Sequence, residues 1–127
     1  MQTQRVVAAI IQSDDRFLVA RRASHKSMAG KWEFPGGKPE AGESDETALV
    51  REIREELGVE IKVLRHFDTS ITNGIELACY VCELTSPKPK TSTDHDELRW
   101  LPEADLSKLD WAEADRPALK RLLIPFC

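Results

Sequence analysis

The chain has 127 residues, of which 41% are hydrophobic and 31% are charged, and its formal net charge at pH 7 is −4. This length predicts one domain over residues 1–127, and the acidic balance argues against binding to a nucleic acid polymer. No apolar run approaches the roughly 20 residues that cross a bilayer, so we expect no membrane-spanning segment.

The first seventeen residues contain neither a basic leader nor a small-residue cleavage site, which predicts a cytoplasmic protein. The chain has three cysteines, and this odd number argues against a disulfide framework. Cys79 and Cys82 form a C-x-x-C pair within a predicted strand. Residues three apart on a strand point to opposite faces, so we expect these two thiols not to share a metal ion.

Strand patterns dominate the N-terminal part of the chain. Two apolar runs, at 5–12 and 16–22, flank a polar turn and predict a β-hairpin. A loop rich in small and polar residues follows, with a short strand at 32–34 and then a glycine turn.

Further strands and a helix are predicted after the central helix described below. The turn signal Asn73-Gly74 lies between two apolar runs. The predicted elements are strands at 59–67 and 75–84, a polar loop at 85–96, a strand at 97–101 and a helix at 116–123 that begins near Pro117. This order predicts an α/β fold, in which a mixed β-sheet is sandwiched between α-helices.

The central helix has a predicted start and stop. Ser44 is a suitable N-cap, and Asp45 and Glu46 place negative charge in the first turn, where the helix dipole favours it. Gly58 is the expected C-terminal stop.

Three carboxylates of this helix, those of Glu52, Glu55 and Glu56, fall on a face about 100° wide. Such close like charges repel each other and require compensation. One interpretation is a solvated acidic face tempered by Arg51 and Arg54. The other is a site for a divalent cation, and hard oxygen ligands suit Mg²⁺ or Mn²⁺.

A glycine turn with a lysine precedes the acidic helix. The segment "FPGGK", residues 34–38, brings backbone close to the acidic face, and Lys38 can meet an anion. Glu43 adds a fourth carboxylate one residue before the helix cap. Carboxylates, a metal ion and a lysine together indicate phosphoryl chemistry.

These residues resemble the signature of the Nudix hydrolases, G-x5-E-x7-R-E-U-x-E-E-x-G-U with U aliphatic. The matching positions are Gly37, Glu43, Arg51, Glu52, Ile53, Glu55, Glu56, Gly58 and Val59. The segments "VVAAII", "LVARR", "WEFPGGK" and "WAEADRPALKRL" are similar to the MutT-type nucleoside triphosphate pyrophosphohydrolases of that family.

The resemblance implies the Nudix α/β/α sandwich and Mg²⁺-dependent hydrolysis, with Mn²⁺ as an alternative, of a (d)NTP to a monophosphate and pyrophosphate. It implies metal binding by Glu52, Glu55, Glu56, Glu97 and the Gly36 carbonyl, and it places Arg51 among the catalytic residues. Glu97 is the predicted general base, with Asp94 and Asp96 as competitors and Glu56 as a residue that could share the task. His95 is expected to be a loop residue.

The resemblance also implies residues that bind the substrate. Lys38 and Arg22 are the predicted phosphate contacts. Arg21 and Arg22 are adjacent in a strand, so only one of them can face the site, and Arg22 is the one we expect there. Asp115 occupies the place of a base-binding asparagine, and Ala78 is a second candidate for the base pocket. If ionised, Asp115 only accepts hydrogen bonds, which suits either cytosine or oxidised guanine. The alternative is that Asp115 caps the last helix.

The predicted function is hydrolysis of 8-oxo-dGTP by a monomer or weak dimer whose partner is a small-molecule nucleotide. A CTP or dCTP pyrophosphohydrolase is the first alternative. Two further alternatives are ADP-ribose hydrolysis and a nucleotide-sensing module without catalysis. Every acidic residue of the signature is present, which disfavours the sensing module.

Overall fold

The computed structural model describes residues 3–123 of the chain. Its strands are β1 Gln4–Ser13, β2 Arg16–Arg22, β3 Trp32–Glu33, β4 Gly36–Gly37, β5 Ile61–Thr72, β6 Ile75–Leu84 and β7 His95–Pro102. Its helices are α1 Asp45–Leu57, α2 Glu103–Leu106 and α3 Arg116–Leu122, with a 3₁₀ turn at Glu113–Asp115. No helix in this part of the chain is long and apolar enough to cross a membrane.

The strands form a mixed sheet, as predicted. Its order is β3-β2-β1-β6-β5, with β4 added to β1 and β7 added to β2. Strands β1 and β6 are parallel from the Gln4↔Ile75 pair to the Ile11↔Cys82 pair, while the other pairings are antiparallel. The β1–β2 hairpin pairs only near its turn, and β4 pairs with β1 at Val7 and Ala8.

Each face of the sheet carries its own apolar core, which confirms the α/β layering. One core lies under α1 and includes Leu49, Ile53 and Cys82. The other lies on the opposite face and includes Cys79 and Trp111, packed with residues of α2 and α3. Cys79 and Cys82 therefore point to opposite faces, as expected from their spacing.

Helix α1 begins and ends where the sequence predicts. The Ser44 hydroxyl accepts a hydrogen bond from the Thr47 amide at 3.2 Å, and Gly58 ends the helix in the left-handed conformation at φ 67°. Asp45 is held from the sheet side by Arg5 and by the Tyr80 hydroxyl, which donates at 2.6 Å. These contacts fix the helix on β1 and β6 and so set the direction of its acidic face.

Several elements differ from the predicted ones, among them β4, where a glycine turn was expected. Strand β5 continues through its polar half to Thr72, because β6 pairs with it up to the tight turn at Asn73 and Gly74, whose φ angles are 48° and 80°. Strand β7 begins at His95, two residues early, since His95 pairs with Arg22 of β2. The short helix α2 was not predicted.

Candidate active site

A cavity of about 780 Å³ lies beside β1 and β4. We call one side of it the acid end, which is lined by Glu52, Glu56 and Asp94 together with residues 36–38. The other side, the apolar end, is lined mainly by Val6, Ala8, Phe34, Ile75, Leu77 and the buried Asp115.

Strand β4 lies so close to β1 that Gly36 must be glycine, and a side chain at Gly37 would require the Glu52 side chain to move. A Cβ on Gly36 would lie 1.9 Å from the carbonyl oxygen of Val7, and a Cβ on Gly37 would lie 2.3 Å from the Glu52 carboxyl. The predicted close approach of the glycine turn to the acidic face is therefore present in the structure.

Arg51 binds the acids at one flank of the acid end. Its guanidinium donates to Glu43 at 2.7 and 2.9 Å, to Glu52 at 3.0 Å and to Glu55 at 3.1 Å. A further bond, at 3.2 Å, goes to the Lys38 carbonyl. The hydrogen bond from Arg51 lowers the pKa of Glu43 to about 2, and the same bond raises the pKa of Arg51.

Glu56 lies beyond the reach of Arg51. It is buried, and its Oε2 atom has no hydrogen-bond partner among residues 3–123. Burial raises the pKa of Glu56 to about 10, and the neighbouring charges of Asp94 and Glu52 add to the effect. An unpartnered carboxylate oxygen among other carboxylates fits a hard divalent cation, which would compensate that charge.

The acidic side chains of the cavity do not all point toward one another. As they stand, no three acidic, histidine or cysteine side chains in the described part of the chain are close enough to hold one ion. Glu52 and Glu55 are turned toward Arg51, and the Glu55 side chain is 61% exposed and outside the cavity lining. The set of oxygen donors fits Mg²⁺ once these flexible side chains rotate toward Glu56.

The structure does not bring Glu97 to this cavity. Its carboxylate lies 3.4 Å from Arg21 and also contacts Arg99, while Asp96 receives a 2.7 Å bond from Arg21. Asp94, one of the predicted competitors, lines the acid end instead. The backbone explains this difference, because Thr93 donates to the Glu56 carbonyl at 3.1 Å and so holds the loop against α1.

Arg22 faces the cavity and Arg21 faces away from it, as the strand alternation predicts. The Arg22 guanidinium is already engaged, since it donates to both Glu33 carboxylate oxygens at 3.0 and 3.1 Å. It also donates to Ser27, at 2.6 Å to the carbonyl and 3.3 Å to the hydroxyl. Lys38, the other predicted phosphate contact, lines the acid end.

Asp115 lies at the apolar end and does not cap α3. Its Oδ2 accepts a 3.0 Å hydrogen bond from the Phe34 amide, and its side chain makes no capping bond. Burial, supplemented by the charge of Glu33, raises the pKa of Asp115 well above its usual value. Burial therefore disfavours the ionised form of Asp115, while the hydrogen bond from the Phe34 amide and the charge of Arg22 act in the opposite direction.

Ala78 does not line the cavity. It is fully buried in the core under α1, and Leu77 lines the apolar end in its place. The physical reason is strand alternation, since neighbouring residues of β6 face opposite sides of the sheet.

Glu33 is the site residue that sequence reasoning missed. It lines the cavity and its charge acts on both Glu56 and Asp115. The signal was its place in the short strand "WEF", where alternation buries Trp32 and Phe34 on either side of it.

A NUDIX domain model matches residues 1–122, and the chain belongs to the Nudix family. A protein of Mycobacterium tuberculosis, provisionally named 8-oxo-dGTP diphosphatase 2, is 41% identical over 121 residues, which cover 91% of this chain and 85% of that protein. The CTP pyrophosphohydrolase of Escherichia coli is 54% identical over 63 residues, 50% of this chain and 47% of that one.

A solved structure shows the same fold. The MutT NUDIX hydrolase of Burkholderia pseudomallei superposes with a TM-score of 0.79 and 30% identity, covering 96% of this chain and 99% of that one. These findings confirm the predicted family, its α/β fold and its class, a hydrolase acting on phosphoric anhydrides. Nudix hydrolases generally depend on divalent metal ions.

Proposed function

We propose that this Nudix hydrolase cleaves 8-oxo-dGTP to the monophosphate and pyrophosphate, with Mg²⁺ as its metal. The observation that carries this proposal is the pairing, in one cavity, of an acid end with an unpartnered Glu56 oxygen and an apolar end with a buried Asp115. The first arrangement suits a triphosphate with its cation, and the second suits a flat heterocyclic base.

At the apolar end, the Oδ2 atom of Asp115 is occupied by the Phe34 amide. A neutral carboxyl leaves Oδ1 able to donate one hydrogen bond and to accept another. Oxidised guanine offers an O6 acceptor beside an N7–H donor, so it satisfies both capacities. Ordinary guanine has an acceptor at N7 and satisfies only one, and that lost bond would separate the two substrates.

At the acid end, Glu52, Glu56 and Asp94 would hold Mg²⁺, with Glu55 and the Gly36 carbonyl as further ligands. When bound, the ion neutralises phosphate charge and acidifies water. Within the described part of the chain, Glu56 Oε2 has no hydrogen-bond partner, so it would be open to the ion. Asp94 takes the place of Glu97 as the loop carboxylate of the site. Lys38, which directly follows β4, would contact the phosphates.

Arg51 keeps a supporting role in this proposal. Its five bonds to acids and to the Lys38 carbonyl orient the carboxylates of the acid end. Arg22 is held by Glu33 and Ser27, so its contact with the phosphates requires that one of these bonds yields. A cytoplasmic location and a monomer or weak dimer remain part of the same prediction.

The relationship to the Escherichia coli CTP pyrophosphohydrolase supports a second candidate substrate, CTP or dCTP. Cytosine offers an N3 acceptor beside an N4–H donor, and this edge also matches both capacities of the neutral Asp115 carboxyl. The apolar end accommodates either base by this criterion, so the two candidates differ in ring size rather than in hydrogen bonding.

A substrate panel tests the proposal. The protein is incubated with Mg²⁺ and 8-oxo-dGTP, dGTP, CTP, dCTP, 5-methyl-dCTP or ADP-ribose, and pyrophosphate release gives kcat/KM for each triphosphate. We expect 8-oxo-dGTP to exceed dGTP by about 100-fold, equivalent to about 2.7 kcal/mol. A preference for cytosine nucleotides would establish the second candidate, and absence of pyrophosphate from every triphosphate would refute both.

A further inference from the structure

A chain of polar side chains centred on the buried His95 joins three residues that line the cavity, Arg22, Glu33 and Asp94. His95 has a side chain only 1% exposed. Its Nε2 lies 2.8 Å from Glu33 Oε2, and its Nδ1 lies 2.7 Å from the Ser92 hydroxyl. Arg22 continues the chain from Glu33, and the Asp94 amide continues it from Ser92 at 3.3 Å.

Hydrogen-bond chemistry assigns a role to each member of this chain. The Glu33 carboxylate is paired with Arg22 and can only accept, so His95 Nε2–H is the donor to it. In the neutral imidazole, Nδ1 then accepts from the Ser92 hydroxyl. The Ser92 oxygen in turn accepts from the Asp94 amide. Each donor has an acceptor, and such continuous networks favour one arrangement of their members.

The hydrogen bond between His95 and Ser92 fixes the loop that carries Asp94. That loop has two other attachments, since the Asp94 carbonyl accepts from the Ala23 amide at 3.1 Å and the Thr93 amide donates to the Glu56 carbonyl at 3.1 Å. The Asp94 carboxylate itself reaches the surface of the acid end, where Lys26 lies 3.4 Å away. The Ser92 bond is therefore the side-chain contact to the Asp94 amide, and the Thr93 hydroxyl adds a 3.2 Å bond to the Asp94 carboxylate.

We propose that His95 is a positioning residue for the reaction, which holds Asp94 at the acid end through Ser92, while its bond to Glu33 sets the imidazole tautomer that accepts from Ser92. This inference rests on the proposed function, because it takes Asp94 to be a working carboxylate of the site. His95 touches neither the cavity space nor Glu56, so its effect passes through its two neighbours.

Two conservative substitutions separate the two sides of the imidazole. The amide of His95→Asn can replace Nδ1 and keep the Ser92 contact, while the amide of His95→Gln can replace Nε2 and keep the Glu33 contact. Ser92→Ala removes the loop contact alone, and His95→Ala removes both. If His95→Ala does not fold, the other three variants still decide the question.

The full-length variants are compared by kcat and KM for the best substrate of the panel and by Mn²⁺ affinity from calorimetric titration. We expect Ser92→Ala, His95→Gln and His95→Ala to lower kcat and to weaken Mn²⁺ binding about 10- to 100-fold, the usual range for residues that orient metal ligands. KM should stay within about twofold, because substrate binding is not removed. His95→Asn should remain close to the unmodified protein in both measurements.

The His66→Gln variant is the matched control. His66 lies 2.7 Å from the hydroxyl of Thr69, three residues away, as His95 does from Ser92, but it is exposed and outside the cavity lining. It should change neither measurement.

Several outcomes would overturn the inference: folded variants with unchanged kcat and Mn²⁺ affinity, a rise in KM alone, or rescue by His95→Gln but not by His95→Asn. If the unmodified protein cleaves no triphosphate, the proposed function fails separately, and Mn²⁺ titration still decides the role of His95.

Discussion

Glu56 and Asp115 are two buried carboxyls on the wall of one cavity, yet their surroundings differ. Glu56 has an unpartnered oxygen and lies among the charges of Asp94 and Glu52. Asp115 accepts a hydrogen bond from the Phe34 amide at 3.0 Å, and the charges that act on it are those of Glu33 and Arg22. Burial raises the pKa of both groups, but only at Glu56 do several acids surround the site. From this difference we expect Glu56 to bind a cation, as in the proposed function, and we expect burial to favour the neutral form of Asp115.

The largest expected effect follows from Glu56→Gln. The change removes the charge but preserves the shape of the side chain, so kcat should fall about 100- to 10,000-fold. Without metal, the variant should be at least as stable as the unmodified protein, because Gln imitates the neutral acid. Steady-state kinetics and thermal unfolding in EDTA measure the two effects. Glu60→Gln, an exposed partner of Arg54, is the control and should leave kcat unchanged.

The loop carboxylates provide the next test of which groups belong to the acid end. Asp94→Asn should lower kcat/KM by about 100-fold, since a charge beside Glu56 is lost. Glu97→Gln should change it by less than about threefold, because Glu97 contacts only arginines outside the cavity. Equal kinetic losses in the two variants would contradict this assignment of Asp94.

The stabilisation that Mg²⁺ gives should differ between variants of Glu56 and variants of Asp115. At 100 times its dissociation constant, a ligand that binds only the folded state raises the free energy of unfolding by about 2.7 kcal/mol. We expect this gain in the unmodified protein and in Asp115→Asn, and we expect it to be largely lost in Glu56→Gln. Calorimetric unfolding with and without Mg²⁺ makes the comparison, and an equal gain in all three proteins would show that the ion binds elsewhere.

The smallest expected effect is a pH dependence at Asp115. Because its pKa is raised in the folded state, the folded protein binds more protons than the unfolded chain above the ordinary aspartate pKa. Its contribution to stability therefore falls as pH rises, by at most about 1.4 kcal/mol per pH unit. Asp115→Asn lacks this titration, so its free energy of unfolding relative to the unmodified protein should increase as the pH rises above the ordinary aspartate pKa, until the raised pKa of the folded state is passed. A constant difference would indicate that Asp115 is ionised throughout.

The acidic helix was the most predictable part of the fold. Its cap, its stop and the spacing of Glu52 and Glu56 are local features, and local chemistry is enough to place them on one face. The mixed sheet followed from the order of apolar runs in the same way. Strand ends were less predictable, because the polar half of β5 becomes a strand only through its pairing with β6.

The remaining site residues depend on contacts between distant segments. Whether Asp94 or Glu97 enters the cavity is decided by the backbone bonds that tie the loop to Ala23 and Glu56. Whether Leu77 or Ala78 lines it is decided by the register of β6 against β1, and a shift of one residue exchanges the faces. Neither the path of the loop nor that register is written in the sequence near these residues.

The contacts of Arg51 bear on whether α1 folds before a metal ion binds. Its guanidinium bonds to Glu43, Glu52 and Glu55 and offsets part of their charge, so we expect the acidic face of α1 to form before any ion arrives. We expect folding and metal loading to be separate events, so that a chain without metal still acquires its native structure. On the proposed function such molecules are intact but inactive, and they become active once the ion is supplied.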